Sequence, residues 1–259
     1  MDHSNPPPSS PFIPMFEAFR AELDEHQDRR ERVIKASRDI TAASKKIIFS
    51  LQRVRKLNAP IPESITRSTA PHWQVIRERF STISADLQSI NGWRYARNIT
   101  GGIQEFMESL SFQYYLEKQQ LITFDNAQGM LKELGGEGRP VELTADDYVL
   151  GVFDMVGELM RFAITAMATS GGLPGGESRA TAAPRNVLSD LRELRTCLEM
   201  LDIPPGPPFP RDVDKKMEVM KTCVEKVENG LYGLVVRGRE RPKGWMPDLE
   251  GRKEEIESF

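Results

Sequence analysis

Apolar residues recur along this chain at alternating spacings of three and four, the period of a helix packed along one side, and no stretch alternates convincingly in twos. The longest such run, from Met15 to Lys56, sets Phe16, Phe19, Leu23, Val33, Ile40, Ile47, Leu51 and Val54 on a seam suited to shallow-angle helix packing. His26, Arg30, Ser37 and Ser44 interrupt that seam, so it is no simple leucine zipper. Asn58-Ala59-Pro60-Ile61-Pro62 ends it, because proline cannot continue the hydrogen-bond ladder.

The same reading predicts a second helix over Pro71–Ser89, with Trp73, Ile76, Phe80, Ile83 and Leu87 inward and Asn91-Gly92 as its break. A third runs over Trp93–Lys118 and a short fourth over Asn126–Leu134, stopped by Gly135-Gly136-Glu137-Gly138. Thr144 caps a fifth that reaches Ser170, with Asp146 and Asp147 at its positive end. A sixth covers Arg185–Leu201 and a seventh Asp212–Val236, separated by Pro204–Pro210. The expectation is an all-α fold, a single-domain seven-helix bundle with a long N-terminal helix. A Pro/Ser-rich disordered arm over 1–14 would precede a helical domain over 15–240, and a loose tail would occupy 241–259.

The composition changes this picture little. The chain has 259 residues, 39% hydrophobic and 28% charged, ordinary values for a globular protein able to bury a core. A net charge of −3 argues against nucleic-acid binding by bulk positive charge and leaves room for a local basic patch or a basic partner. Cys197 and Cys223 make no disulfide framework or CxxC zinc pair, and both read as small core residues. With no secretory signal and no basic localisation cluster, a reduced compartment is expected, the cytoplasm with the nucleus also allowed.

The fifth helix carries the chemistry. The run Tyr148–Ala168 is apolar on nearly every face, and Asp154, Glu158 and Arg161 within it make a membrane span costly, so it reads as a buried helix. Asp154 and Glu158, four apart, share a stripe, and burying two like charges together demands a cation or a proton. Arg161 supplies one positive charge on that stripe and cannot satisfy both groups. Glu105 and Glu108, three apart on the third helix, continue onto the core-type face of Phe112 and Leu116. Two inward acidic pairs suit a hard divalent cation with oxygen ligands, Mg²⁺ with Mn²⁺ as a substitute. The plainer account is a pair of solvated or salt-bridged helix faces. A ferritin-like site would need Glu-x-x-His motifs, and His3, His26 and His72 lie elsewhere.

These residues also carry a resemblance. Ser37-Arg38-Asp39-Ile40-Thr41 with Ser44-Lys45 and Ile48-Phe49, Gln104–Glu108 with Ser111-Phe112-Gln113, the stretch Asp147–Arg161, and Lys226–Asn229 with Tyr232 and Val236-Arg237-Gly238 follow in order. Together they resemble the translin family, and within it the translin-associated factor X (TRAX) branch, from about Phe16 to Arg241. The resemblance implies a seven-helix fold that joins translin subunits in a closed hetero-octamer-like shell. It further implies a Mg²⁺-dependent endoribonuclease acting on single-stranded RNA, tied to silencing passenger strands and precursor-tRNA fragments. The family's catalytic acids fall on Glu105, Glu108, Asp154 and Glu158, and a family arginine falls on Arg97.

The reading that follows is metal-assisted phosphodiester cleavage, with the four carboxylates holding one or two ions and one of them, such as Glu105, acting as general base. Arg97 and Arg94 are candidate RNA-backbone contacts, with solvated ion pairs as the plain alternative. Trp93 and Tyr95 are candidate base-stacking residues, although core packing is the simpler account of both. Two rivals remain at this point: an all-α Mg²⁺-dependent nucleoside triphosphate pyrophosphohydrolase, and a non-catalytic scaffold of an RNA-binding complex.

Overall fold

The helices follow from the chain's periodicity, and their ends follow from local chemistry that periodicity does not show. In the computed structural model, residues 10, 12–135, 140–175, 185–203 and 209–237 are described. The expected 1–14 arm and 241–259 tail fall almost wholly outside them. Among the described residues there are seven α-helices and no strand: α1 Ile13–Leu51, α2 Glu63–Ile83, α3 Ile90–Lys118, α4 Phe124–Leu134, α5 Ala145–Ser170, α6 Val187–Glu199 and α7 Phe209–Arg237.

Three boundaries differ from the sequence expectation. Helix α1 stops at Leu51 rather than Lys56; the chain turns there, which lets Val54 and Leu57 point inward and lets the Asn58 N–H donate to the Leu116 carbonyl at 3.0 Å. Helix α2 begins at Glu63 and carries Pro71 inside it, at the loss of one ladder bond, because Ile65 and Thr69 already bury against the core. The break before α3 lies ahead of Asn91-Gly92: a single 3₁₀ turn over Ala85–Leu87 leads to Ser89 at φ 56°. Asp86 fixes that turn to α1, accepting from Arg32 at 2.8 and 2.9 Å and from Arg29 at 3.2 Å.

The direction of the helices can be read from pairs of neighbours. His26 touches Tyr95, Ser37 meets Gly102 and Lys45 reaches Glu105, so α1 and α3 run the same way. Asp147 lies against Gln104, and Phe112 against Phe162, so α3 and α5 are also co-directional. Lys216 meets Asp154, and Gly230 lies beside Met167 and Ile164, which adds α7 in the same sense. Helix α2 returns antiparallel to α1, with Arg79 on Asp39 and Arg53 on Ser68. The centre is thus a parallel row α1–α3–α5–α7, with α2 beside α1, α4 on α2, and α6 against α5 and α7.

The serines that break the α1 seam mark its closest approach to α3. Ser37 and Ser44 are buried, and the Gly102 N–H donates to Ser37 Oγ at 3.1 Å. Ahead of that contact α1 is bare: Phe16, Phe19 and Leu23 are 63%, 51% and 68% exposed, so only the later part of the seam is buried. Nothing among the described residues covers those positions, and burial begins in earnest at Val33. Helix α5 is covered on most sides, as its sequence requires, and no described helix is long and apolar enough to cross a membrane.

Adjacent glycines in α3 give opposite expectations. A Cβ on Gly102 would stand 2.9–3.0 Å from Ser37 Oγ, Cα and O, whereas one on Gly101 meets nothing within 4 Å. Gly102→Ala should cost about 1–3 kcal/mol by overpacking, and Gly101→Ala should gain about 0.5–1 kcal/mol by helix propensity. Urea unfolding of the two variants checks both signs.

Candidate active site

Each helix of the parallel row contributes to one acidic cluster. Glu105 and Glu108 come from α3, Asp154 and Glu158 from α5, Lys45 and Gln52 from α1 and its end, and Lys216 from α7. Glycine sets the α3–α5 spacing: a Cβ on Gly151 would fall 2.5 Å from Met107 Cβ and 3.0 Å from the Gln104 carbonyl. That close approach, one turn before Asp154, holds the two acidic pairs against each other. Below it, Asp147 is buried at the start of α5, taking hydrogen bonds from Thr100, from Gln104 at 2.9 Å and from Thr144 Oγ1 at 2.9 Å. Thr144 caps α5 as the sequence predicts, accepting from the Asp147 N–H at 3.1 Å.

The structure brings all four sequence-predicted acids into mutual electrostatic range. Burial, reinforced by the charges of Asp154, Glu105 and Glu158, pushes the Glu108 carboxyl up to about 9. Burial also raises Glu105, against the opposing charge of Lys45, which sits 3.2 Å from Glu105 Oε1. The other oxygen, Glu105 Oε2, is buried without a hydrogen-bond partner. Glu158 is 8% exposed; Gln52 Nε2 donates to its Oε2 at 2.7 Å and to its carbonyl at 2.9 Å, and Arg161 approaches at 3.3 Å. Asp154 Oδ1 is engaged by Lys216. Among the described residues no three acids, thiols or imidazoles converge on one point at ligand distance.

Sequence reasoning found the acids and one of their counter-charges, Arg161. It missed Lys216 and Gln52, because neither lies near an acid in sequence and no motif marks them. Lys45 was visible only inside the Ser44-Lys45 match. The arginines lie where one stripe of α3 continues outward: Arg94, Arg97, Gly101, Glu105 and Glu108 follow at steps of three and four. Arg97 and Gly101 are exposed, and Arg94 donates to the His26 ring at 2.6 Å. Tyr95 packs in the core with its hydroxyl 2.7 Å from His26 Nδ1, but Trp93 is 85% exposed, so core packing does not account for it. Cys197 is exposed as well, which leaves only Cys223 as the buried thiol expected of both.

The Glu108 carboxyl has a sign that can be tested. Its folded value lies above the model-peptide range, so the stability it contributes is full below about 4.5 and declines as pH rises toward 9. In chelator, Glu108→Gln should flatten the fall in unfolding free energy between pH 5 and 8.5 and raise stability at the alkaline end. Denaturant titrations at the two pH values measure both effects.

Comparison with known proteins bears on the family and the fold. Residues 28–238 match the translin family. Translin-associated protein X of Pongo abelii is 32% identical over 266 residues, covering 96% of this chain and 87% of that protein. The Schizosaccharomyces pombe homologue of that protein is 28% identical over 224 residues, 86% of this chain and 87% of its own, whereas Gallus gallus translin is 22% identical over 236 residues, 86% of this chain and 92% of that one. Among solved structures, the crystal structure of AfC3PO superposes with a TM-score of 0.57 at 18% identity, covering 88% of this chain and 100% of that chain, a likeness of fold. The apo-NeC3PO structure gives the same TM-score at 17% identity over 82% of this chain and 95% of that one. The chain therefore belongs to the translin family, on the side of translin-associated protein X rather than translin.

Proposed function

We propose that this chain is the catalytic subunit of a Mg²⁺-dependent endoribonuclease that works in a shell with translin subunits and cleaves single-stranded RNA, such as silencing passenger strands or precursor-tRNA fragments. The observation that carries this reading is the facing of Glu105–Glu108 and Asp154–Glu158 across the α3–α5 contact, with more negative charge than the surrounding cations offset.

The residues fit a hard divalent cation. The donor set is all carboxylate, one of its oxygens is buried and unpaired at Glu105, and burial together with the neighbouring carboxylates raises the Glu108 carboxyl. Glu105, Glu108, Asp154 and Glu158 would hold Mg²⁺, or Mn²⁺ in its place. A bound ion would supply an activated water and charge neutralisation at a phosphodiester. Glu105 is the natural proton acceptor, since burial raises its basicity while one oxygen stays uncommitted. Glu158 is held by Gln52 and Arg161, which suits a fixed ligand. Outward along the stripe, Arg97 and Arg94 would take the backbone phosphates, and the exposed Trp93 would stack a base. The bare apolar row Phe16, Phe19 and Leu23 supports a partner subunit, as does a net charge of −3 on a chain that must hold RNA.

The deciding assay is Mg²⁺-dependent cleavage of a single-stranded RNA by the full-length chain, alone and with translin added. Asp154→Asn should lower the rate about 100-fold or more, and Arg97→Ala should weaken RNA binding and reduce its salt slope by about 1. Equal rates for wild type and Asp154→Asn would sink the proposal. Cleavage of free nucleoside triphosphates without RNA would point to a pyrophosphohydrolase, and unchanged turnover in both Glu108→Ala and Asp154→Ala to a scaffold.

A further inference from the structure

The two lysines of the acidic cluster are not equivalent. Lys45 is 64% exposed at its side chain and pairs with Glu105. Lys216 is 26% exposed, pairs with Asp154 Oδ1, and its charge is also felt by Glu105 and Glu108. It reaches in from α7, a helix that supplies none of the carboxylates. An ammonium has three donors and no lone pair, so Lys216 cannot ligate a metal; it can only stand where a cation would stand. Its flexible four-carbon stem lets the charge leave without any helix moving.

We infer that Lys216 is a tethered competitor for the divalent cation, holding Asp154 in the metal-free site and having to yield that carboxylate before an ion is bound. The inference rests on the metal-site reading above and adds to it the residue that sets metal affinity. Lys216 is thus a positioning residue of the site. In the metal-free chain it also prevents the acids from forcing α3 and α5 apart, so it stabilises the fold at the expense of ion affinity.

Manganese binding to the full-length, chelator-stripped chain tests this without reference to activity. Calorimetry and the electron paramagnetic resonance of free Mn²⁺ both give Kd. Lys216→Met should tighten Kd about tenfold, whereas Lys216→Arg, which keeps the ion pair, should stay within about twofold of wild type. Lys45→Met should change Kd by about threefold or less, because solvent screens an exposed pair. Lys216→Met should also lower Tm in chelator and show a larger Mn²⁺-induced rise in Tm than wild type. Lys216→Gln, with an amide still able to donate to Asp154, serves as the tempered variant if the methionine chain does not fold without metal, and it too should bind Mn²⁺ more tightly than wild type. Unchanged or weaker binding in Lys216→Met and Lys216→Gln, or an equal gain in Lys45→Met, would overturn the competitor role and leave the metal site standing. Absence of Mn²⁺ binding in wild type and every variant would instead remove the metal site, and the competitor with it.

Discussion

Four carboxylates, one buried and three half-buried, crowd the contact between two packed helices, and the flanking helices supply what offsets their charge. Two acidic pairs face each other where α3 and α5 come close enough that Gly151 has no room for a side chain. Like charges so placed are costly in a medium of low dielectric. The chain meets the cost in three ways at once: Glu108 retains a proton, Lys216 and Lys45 are drawn from the flanking helices, and Gln52 with Arg161 takes up Glu158. The order of helices in the bundle is the order in which these compensations are delivered, with α1 on one side of the acidic contact and α7 on the other.

The compensation is partial by construction. A fully neutralised cluster would have no use for an ion, and a bare one would destabilise the helices that carry it. Here the partly buried Lys216 pairs with Asp154, while the exposed Lys45 contributes at Glu105 as a surface ion pair does, on the order of 0.2–1 kcal/mol. An unpaired oxygen on Glu105 and a protonated Glu108 are what such a balance leaves behind. Local strength of this kind sits on a rigid frame: Asp147 is fully hydrogen-bonded at the foot of α5, and Ser37 locks α1 to the Gly102 turn.

Much of this was legible in the sequence, and the gaps have physical causes. The helix count and the four acids followed from periodicity and from the apolar run around Asp154, because a helix with few polar positions declares which of them matter. Pro71 misled the start of α2, since a breaker carries weight locally that tertiary burial of Ile65 and Thr69 overrides. The α1 seam divides in a way its period does not show, because a periodic stripe does not say whether the surface it needs lies in the same chain; Val33 is buried and Phe16 is not. Lys216 was invisible, as counter-charges from a distant helix leave no spacing to read. Trp93 was misjudged for a related reason: aromatic size argues for burial, and only the exposed start of α3 shows otherwise.

The co-directional row of helices has a bearing on how the molecule comes into being. Lys216 stands 62 residues beyond Asp154 in sequence and farther still from the α3 acids, on the last described helix. A parallel arrangement forces every central contact to be made between segments far apart along the chain, which slows closure of the core. Synthesis from the N-terminus therefore presents the acidic contact before its main counter-charge exists. Because α7 is the last described helix, the Asp154–Lys216 pair can be completed only after α3 and α5 have been synthesised.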